Sequence, residues 1–463
     1  MTVLTSYLLL CIGLGLNYIL NIFIGRSLGP SGFGDYALAL NFYNIAAIIT
    51  VFGLDQAALK FIPQTSNPKR VASSILHISL IIAAASTTIL FFILLTIFHE
   101  KSLLYILFLT AVAPTALLTQ ILAIAQAHQI FVSRMVIRYL CEPALRAMLI
   151  ISLFNSWGKQ PAAAAAAFLF SYMVTLIISV YRYRAIIVPA VRKKSGISLT
   201  TIASFAFPIA LGNLMSTIGS RIDILILGAL VTSGMLGVYT ASLQTAAVLA
   251  IVLQGIELVY ASKLSASIGA NNAEKLEYEY QLSLRVTVLI GTPIVVFFSF
   301  YSEMMATLFG EAFSESRYVL CILCISQFIN LATGSANQLI ILFGYTRVVL
   351  IINTCFLITA AVLIYCGSAL YEIIGAAIGI LISSSCLNFA RVLFVGLKKG
   401  IYPYDKRSLF FLTGILTMLT LRLYYDVSLG LSESLYLACF TTFVATLMLI
   451  RTPDFKSILS FTK

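Results

Sequence analysis

The sequence has 463 residues, of which 60% are hydrophobic and only 10% are charged, and its mean hydropathy is +1.01. Soluble domains carry about 25% charged residues, so this composition excludes a water-soluble globular protein and predicts a polytopic membrane protein. The formal net charge of +12 is explained by membrane topology and gives no reason to expect a nucleic-acid partner.

Apolar segments of about 20 residues, the length of one membrane-spanning helix, follow one another along the whole chain. The first segment begins without Lys or Arg and has no small-residue cleavage site after it, so we expect it to persist as a helix rather than to be removed as a signal peptide. We predict fourteen spans, at residues 6–24, 36–58, 71–97, 102–127, 135–155, 161–181, 203–229, 236–259, 281–300, 318–343, 348–368, 372–397, 408–426 and 434–450.

The basic residues of the predicted loops are distributed unevenly between the two sides of the membrane. Cytoplasmic loops retain Lys and Arg, whereas translocated loops do not. With a cytoplasmic amino terminus, the outer side keeps Arg26, Lys101, Lys159 and Arg317, and most of the other basic loop residues fall inside. This asymmetry predicts that both termini are cytoplasmic, and the basic inner face would also attract anionic membrane lipids.

The longest cytoplasmic link carries a cluster of basic residues and separates the first six spans from the rest. We therefore predict an N-terminal six-helix bundle at 1–181, a cytoplasmic basic linker at 182–200 and a C-terminal six-helix bundle at 201–400. Residues 401–463 are predicted to form two additional transmembrane helices and a cytoplasmic tail.

An internal repeat relates the two halves. The stretch GRSLGPSGFGDYALA at 25–39 aligns with GALVTSGMLGVYTAS at 228–242 at an offset of 203 residues, and the pairs include Gly34 with Gly237 and Tyr36 with Tyr239. The offset spans six predicted helices, an even number, so both copies have the same orientation in the membrane. The repeat predicts an all-α fold of two parallel six-helix bundles around a central cavity, with two C-terminal helices added.

The glycine-rich stretch at 25–39 admits two interpretations, a phosphate-binding loop and a turn between two helices. It falls on the predicted outer side, where there is no cytoplasmic nucleotide, and its repeat copy lacks the equivalents of Arg26 and Pro30. We therefore predict a helical hairpin turn, in which Arg26 is the one side chain that would meet a charged substrate.

Neither a metal nor an organic cofactor is expected. The eight cysteines lie in apolar segments, and the C-x-x-C pair Cys321 and Cys324 has no second pair or histidine nearby. The three histidines have no metal-ligand spacing, and no P-loop or hydrolase motif occurs in the chain. The sequence therefore does not favour an enzyme.

Charged residues inside the predicted spans are informative, because each costs about 2.5–3.5 kcal/mol at a helix centre on insertion scales. Glu142 and Arg146 are four residues apart, the spacing at which opposite charges meet on one helix face. They form either a self-neutralised structural pair or an exchangeable pair, in which an anionic substrate group takes the arginine and frees the carboxylate to bind a proton.

Two further pairs leave similar alternatives. Arg221 and Asp223 are two residues apart and point in different directions on a regular helix, so one would face a cavity and the other a neighbouring helix. The alternative is a structural salt bridge to another helix. Asp55 and Glu257 occupy repeat-related positions near the cytoplasmic ends of their helices. They form either a gate or proton site, or they are simply two carboxylates near the lipid headgroups.

Three other arginines lie near predicted helix ends, where long basic side chains extend to the membrane surface. We expect this arrangement for Arg285, Arg391 and Arg422.

Several short motifs together resemble a known family. They are RSLGP at 26–30, FGDYA at 33–37, FGL at 52–54, IDILILG at 222–228 and GVY at 237–239. In these motifs the chain resembles the polysaccharide biosynthesis translocases, the Wzx-type O-antigen flippases of the multidrug/oligosaccharidyl-lipid/polysaccharide exporter superfamily. The resemblance covers the first twelve spans, and the fourteen spans also leave room for a relationship to the fourteen-helix lipid II flippases.

The resemblance implies a bacterial inner-membrane flippase that moves undecaprenyl-diphosphate-linked oligosaccharide repeat units by alternating access, with a proton gradient often proposed as the drive. It also implies a polysaccharide polymerase and a chain-length regulator as partners. Arg26 and Asp223 lie in matched motifs, and Arg146, Arg221, Glu142 and Asp55 are added from their positions in the spans. We predict that Arg26, Arg146 and Arg221 bind substrate, and that Asp55, Glu142, Asp223 and Glu257 serve coupling or gating.

Two other functions are compatible with the sequence. A multidrug or cation antiporter of the same superfamily would favour acidic cavity residues, whereas arginines inside the predicted spans are at least as numerous as carboxylates. A membrane glycan polymerase or ligase would need catalytic side chains on a substantial outer loop, and the longest outer connection, at 301–317, is short.

Overall fold

The computed structural model describes residues 2–65, 67–97, 102–187 and 198–449. Residues 188–197 of the predicted linker and the predicted tail after residue 449 lie outside this part of the chain. Within the described ranges every regular element is a helix, which confirms the all-α prediction.

The chain forms two compact units, Met1–Leu225 and Ile226–Lys463. The domain boundaries predicted from the sequence stay a prediction. The helices of the first unit are α1 (Thr2–Val51), α2 (Leu54–Phe61), α3 (Pro68–Ile97), α4 (Ser102–Ala127), α5 (Phe131–Val136), a π-helical turn (Ile137–Cys141), α6 (Glu142–Trp157), α7 (Pro161–Ile187) and α8 (Leu199–Gly219). Helix α9 (Ile222–Leu230) contains the boundary between the units.

The second unit continues with longer helices. They are α10 (Ser233–Gly269), α11 (Ala273–Phe300), α12 (Ser302–Thr307), a 3₁₀ turn (Glu311–Phe313), α13 (Ser316–Leu331), α14 (Ala336–Leu342), α15 (Thr346–Lys399), α16 (Lys406–Tyr425) and α17 (Leu431–Leu449).

Two helices, α1 in the first unit and α15 in the second, are each long enough to form two spans. Helix α1 has 50 residues and breaks at Gly29, and α15 has 54 residues and breaks at Tyr371 and Glu372. At 1.5 Å per residue each far exceeds the hydrocarbon thickness of about 30 Å. Across the described residues, nine helices pass a length and hydropathy test for spanning a membrane, and the bent pair α13 and α14 makes a tenth.

Once the two long helices are divided, and the segments 131–157 and 431–449 are included, each of the fourteen predicted spans is largely helical in the described residues, with short breaks inside 36–58, 203–229 and 318–343. The protein is therefore a multi-pass membrane protein.

The turn predicted from the glycine-rich stretch is present. Gly29 has φ 68° and ψ 176°, a conformation that glycine adopts without steric cost, and Pro30 begins the second arm of α1. At the repeat-related position, Thr232 is extended with ψ 154°, and its side chain caps α10, which begins at Ser233. Both copies of the repeat therefore change direction at the same point.

The core of the first unit is built on close helix contacts. Helix α4 packs against α1, α3 and α7, and the six consecutive alanines 162–167 at the start of α7 are all buried. Small residues allow helix backbones to approach closely in a membrane protein. This packing fixes α6, which contacts α7, and thereby positions the charged residues of α6.

Two of the three arginines expected at the membrane surface are buried instead. Arg285 on α11 is 2% exposed and lies 3.0 Å from the carboxylate of Asp405, and Arg422 on α16 is also 2% exposed. The guanidinium of Arg422 donates hydrogen bonds to the carbonyl of Ser299 and the hydroxyl of Ser302, both at 2.9 Å. The prediction was wrong for these two residues because polar partners more than 100 positions away in the chain are inside the protein.

Candidate functional site

A polar cavity of about 610 Å³ lies within the first unit. Its walls come from α1, α2, α4, the π-helical turn, α6, α7 and the end of α8, and they include five charged residues. The charged and amide residues that line it are Asn17, Asn21, Asn44, Asp55, Arg138, Glu142, Arg146, Asn213 and Arg221.

Four of the seven predicted site residues line this cavity, namely Asp55, Glu142, Arg146 and Arg221. Of the other three, Arg26 is exposed beside the turn at Gly29. Asp223 is buried at the start of α9, and Glu257 is half-buried on α10 in the second unit. The structure thus brings the four together, and the functional roles of all seven stay predictions.

Arg146 on α6 has three neighbours. Its Nε lies 3.4 Å from Oε1 of Glu142, as the four-residue spacing predicts. Its Nη2 donates a hydrogen bond to the side-chain oxygen of Asn17 on α1, and its guanidinium carbon lies 5.3 Å from the ring centre of Phe168. The side chain is thus held by a charge, an amide and an aromatic face from three helices.

Glu142 is the most buried carboxylate of the cavity, at 3% exposure, and Arg146 is 8% exposed. The hydroxyl of Ser171 on α7 shares its one proton between two acceptors, Oε1 of Glu142 at 3.2 Å and the carbonyl of Phe168 at 2.8 Å. Burying an isolated ion costs several kcal/mol, so a charge at this depth requires a counter-charge or hydrogen bonds. Glu142 has both.

Arg138 is a cavity residue that the sequence reasoning missed. It lies near the start of the predicted span 135–155, in the π-helical turn Ile137–Cys141, and its Nη1 donates a hydrogen bond of 3.2 Å to the hydroxyl of Tyr172. The spacing of Arg138, Glu142 and Arg146 at intervals of four residues was the available signal, because it places three charges on one helix face. Single π-helical turns occur frequently at functional sites.

Two asparagines of α1, Asn17 and Asn21, also line the cavity and are not predicted by the charge pattern of the sequence. Asn17 donates to the carbonyl of Gly13 at 2.8 Å, and Asn21 donates to the carbonyl of Asn17 at 2.9 Å. Their spacing of four residues on one face of an apolar helix was the signal available in the sequence. These amides leave polar groups at the cavity wall that suit hydroxyl-rich ligands.

Helix breaks position the remaining two charged residues of the cavity. Asp55 lies in the first turn of α2, directly after Gly53, whose φ of 67° separates α2 from α1. Arg221 lies between the end of α8 and the start of α9, while the Asp223 carboxylate accepts the backbone N–H of Ile224 at 2.8 Å. Arg221 lines the cavity and Asp223 does not, and a helix break separates the two residues, so their assignment to different environments stays a prediction.

The cavity carries a net positive charge. Three arginines (Arg138, Arg146, Arg221) and two carboxylates (Asp55, Glu142) give 3 − 2 = +1. Arginines in a low-dielectric site bind phosphate oxygens through paired charged hydrogen bonds. The arrangement therefore suits an anionic ligand, and the amide, hydroxyl and phenol groups around it suit a sugar.

A second polar cavity, of about 470 Å³, lies in the second unit and has the opposite balance of charge. Its wall contains the carboxylates of Glu303, Glu315 and Glu372 and one arginine, Arg317. Such a lining suits a cation, so the two units do not offer the same chemistry.

Comparison with known families gives two matches. The family model described as polysaccharide biosynthesis protein matches residues 3–259, and the MatE family model matches residues 208–366. No curated protein sequence matches the chain.

Several solved structures that share this fold are described as transporters. A structure described as the inward-facing conformation of a multidrug resistance MATE family transporter of the MOP superfamily is 17% identical, has a TM-score of 0.66 and covers 82% of this chain and 94% of its own. An outward-facing conformation of such a transporter is 18% identical with a TM-score of 0.61, covering 86% and 95%. A MOP superfamily transporter from Pyrococcus furiosus, described as having a binding pocket of reverse polarity, is 18% identical with a TM-score of 0.58, covering 86% and 95%.

Proposed function

The chain belongs to the polysaccharide biosynthesis protein family, whose model covers more than half of it, and on this premise we propose that it is a lipid-linked oligosaccharide flippase. The fold is that of MOP superfamily transporters, so membrane transport is its general activity. The proposed substrate is an undecaprenyl-diphosphate-linked oligosaccharide repeat unit, moved across the bacterial inner membrane for O-antigen or another surface polysaccharide.

The observation that carries this proposal is the net positive, amide-rich cavity of the first unit. A diphosphate is polyanionic, and Arg138, Arg146 and Arg221 supply guanidinium groups for it. The oligosaccharide presents hydroxyls, which the asparagines and the phenols of Tyr36 and Tyr172 can bind. A lipid tail needs no polar site and stays in the bilayer during transfer.

We propose alternating access as the mechanism. The same fold is known in inward-facing and outward-facing conformations, which supports this mechanism. Asp55 and Glu142 line the cavity of the first unit and are the proposed coupling carboxylates there. Asp223 and Glu257 lie outside that cavity and are retained as proposed gating residues, with protons as the proposed coupling ion.

The proposal includes a location and partners. An inner-membrane flippase with cytoplasmic termini would receive its substrate from cytoplasmic glycan assembly. It would deliver that substrate to a polysaccharide polymerase and a chain-length regulator on the outer side. Anionic membrane lipids would contact its basic cytoplasmic loops.

Deleting the gene tests the proposal. We expect lipid-linked repeat units to accumulate on the cytoplasmic leaflet, and surface polysaccharide to disappear until the intact gene is restored. A missing polymerase would instead leave single repeat units on the cell surface, so the leaflet on which the units accumulate separates transport from polymerisation. Normal surface polysaccharide in the deletion strain would contradict the proposal.

A multidrug or cation antiporter is the second candidate, and the acidic cavity of the second unit is the observation that favours it. An antiporter of this kind would make the deletion strain sensitive to cationic drugs while leaving surface polysaccharide intact. Charge reversal at Glu303 would then impair drug resistance, whereas charge reversal at Arg146 would not.

A further inference from the structure

We propose that the carboxylate of Glu142 is an internal competitor for the anion site, which holds Arg146 until a ligand with more than one negative charge displaces it. The inference rests on the proposed function, since it concerns how the same cavity selects a diphosphate. It makes Glu142 a determinant of specificity.

The two charged groups lie close together but are not joined by a hydrogen bond. Oε1 of Glu142 lies 3.4 Å from Nε of Arg146, whereas charged N–H···O hydrogen bonds are about 2.7–2.9 Å long. Nε is buried and makes no hydrogen bond within the described residues. A phosphate oxygen that reached this N–H would therefore gain a hydrogen bond that the carboxylate does not provide.

Each member of the pair has a polar partner of its own. Ser171 donates a hydrogen bond to Glu142, and Asn17 accepts one from Arg146. Breaking a buried ion pair is costly when it leaves a charge with nothing to bind. Because both side chains keep a hydrogen bond after separation, the geometry lowers the cost of exchange.

Charge explains the selectivity. Arg138, Glu142 and Arg146 together carry +1, so Glu142 already neutralises one of the two arginines. A singly charged anion would replace one carboxylate by another without a gain in Coulomb energy. A diphosphate brings additional charge and additional oxygens, and these can also engage Arg138.

The test measures binding of inorganic pyrophosphate to the full-length protein in detergent by isothermal titration calorimetry. We expect Glu142→Gln to bind pyrophosphate at least about fivefold more tightly than the wild type, the lower end of ordinary coupling between ligands of one protein. We also expect acetate to compete with pyrophosphate in the variant and not in the wild type.

Two further variants guard against a folding effect. Glu279→Gln makes the same substitution at a buried carboxylate on α11, outside the cavity, and should leave pyrophosphate affinity unchanged. If Glu142→Gln has a lowered melting temperature, Glu142→Asp keeps the charge on a shorter side chain. Glu142→Asp should then bind pyrophosphate more tightly than the wild type does, and acetate should compete weakly with pyrophosphate in this variant.

Equal or weaker binding of pyrophosphate by folded Glu142→Gln would overturn the inference and leave the pair a structural one, with the proposed function intact. If neither protein binds pyrophosphate, the cavity is not an anion site, and both the inference and the proposed function fail. The two failures are therefore distinguishable in one experiment.

Discussion

At the residue scale, the position of the Arg138 guanidinium is set by its contacts with Tyr172. Its guanidinium donates to the hydroxyl of Tyr172, and its carbon lies 5.7 Å from the ring centre of the same tyrosine. The π-helical turn around it precedes Glu142 directly, so Arg138 and Arg146 flank the carboxylate on one wall of the cavity.

We expect Arg138→Gln to weaken pyrophosphate binding by tenfold or more, since a hydrogen bond to a charged group contributes about 1.5–3 kcal/mol. Titration calorimetry on the purified protein provides the measurement. Arg134→Gln is the matched control, because Arg134 lies one turn earlier and does not line the cavity. Equal losses in the two variants would argue for a general effect of charge instead of a contact with the ligand.

Gly53 is a second residue whose identity is required by its surroundings. Its φ of 67° is in the left-handed region, and a Cβ there would lie 2.6 Å from the backbone oxygen of Ala206 on α8. The break that it forms places Asp55 in the cavity wall. At the repeat-related position, by contrast, Gly255 lies inside the continuous helix α10.

Gly53→Ala should therefore lower the free energy of unfolding by about 1–3 kcal/mol, the usual cost of a strained backbone position, or more if α8 is displaced. A lowered melting temperature and lowered abundance in the membrane would show this. Gly15→Ala is the control, since nothing lies within 4 Å of a Cβ there and alanine favours helix. Unchanged stability of Gly53→Ala would contradict the argument.

At the scale of elements, α16 is held to α11 at both of its ends. Asp405 caps the start of α16 by accepting the N–H of Ser408 at 2.8 Å, and it lies 3.0 Å from Arg285 of α11. Near the other end, Arg422 donates to Ser299 and Ser302 where α11 ends and α12 begins. The helix that the sequence treats as an addition is therefore tied to α11 and α12 by one ion pair and by two hydrogen bonds from a buried guanidinium.

We expect Asp405→Asn to destabilise the protein by about 3–5 kcal/mol, because it removes the carboxylate charge beside a buried guanidinium. Arg285→Met should be similarly harmful, and the double variant should recover part of the loss. A double-mutant cycle of melting temperatures in detergent measures this coupling. Strict additivity of the two losses would show that the pair does not interact.

The turn after α16 contains a group whose ionisation affects stability. The hydroxyl of Tyr318 donates a hydrogen bond of 2.7 Å to Asp426, and this bond, together with the charges of Arg317 and Arg422, lowers the pKa of the Asp426 carboxyl. A carboxyl with a lowered pKa in the folded state stabilises the fold above its unfolded pKa, and this contribution disappears as pH falls through the folded pKa.

Asp426→Asn should consequently lower the melting temperature at neutral pH, and the difference from the wild type should shrink below about pH 4, the ordinary pKa of aspartate. Melting curves across pH measure this difference. Glu311→Gln, an exposed carboxylate on the 3₁₀ turn, should show no such pattern. A difference that persists unchanged in acid would point to packing as its cause.

At the scale of the whole molecule, the internal repeat relates buried packing residues, whereas the cavities of the two units differ in charge. The repeat-related pairs Phe33 with Leu236 and Tyr36 with Tyr239 are all buried. Among the charged cavity residues of the first unit, Asp55 has a repeat-related carboxylate, Glu257, but Glu257 does not line the acidic cavity of the second unit. The two units therefore share buried residues at repeat-related positions, but their cavities are lined by different charges.

The predicted topology can be tested with cysteines at exposed loop positions. Lys159→Cys, between α6 and α7, should react with a membrane-impermeant maleimide in intact cells, and Lys275→Cys, at the start of α11, should react only after permeabilisation. Both substitutions should be made in a variant from which the exposed native cysteines have been removed. These are Cys355, Cys366, Cys386 and Cys439. Labelling of Lys275→Cys in intact cells would contradict cytoplasmic termini.

The sequence alone determined the class of protein, the fourteen spans, the parallel repeat and the turn at Gly29. These features follow from local hydropathy and from residues close together in the chain. It also placed Glu142 beside Arg146, because a helix fixes which residues four apart can meet.

Only the tertiary structure decided which charges share a site. Arg138 joins the cavity through Tyr172, and Arg285 is buried because Asp405, 120 residues away, packs beside it. Such contacts depend on how each helix is rotated and where it breaks, as at Gly53 and Arg221. Hydropathy is nearly uniform around these helices, so the sequence pattern does not predict how each helix is rotated about its axis. The packing of whole helices against one another determines that rotation.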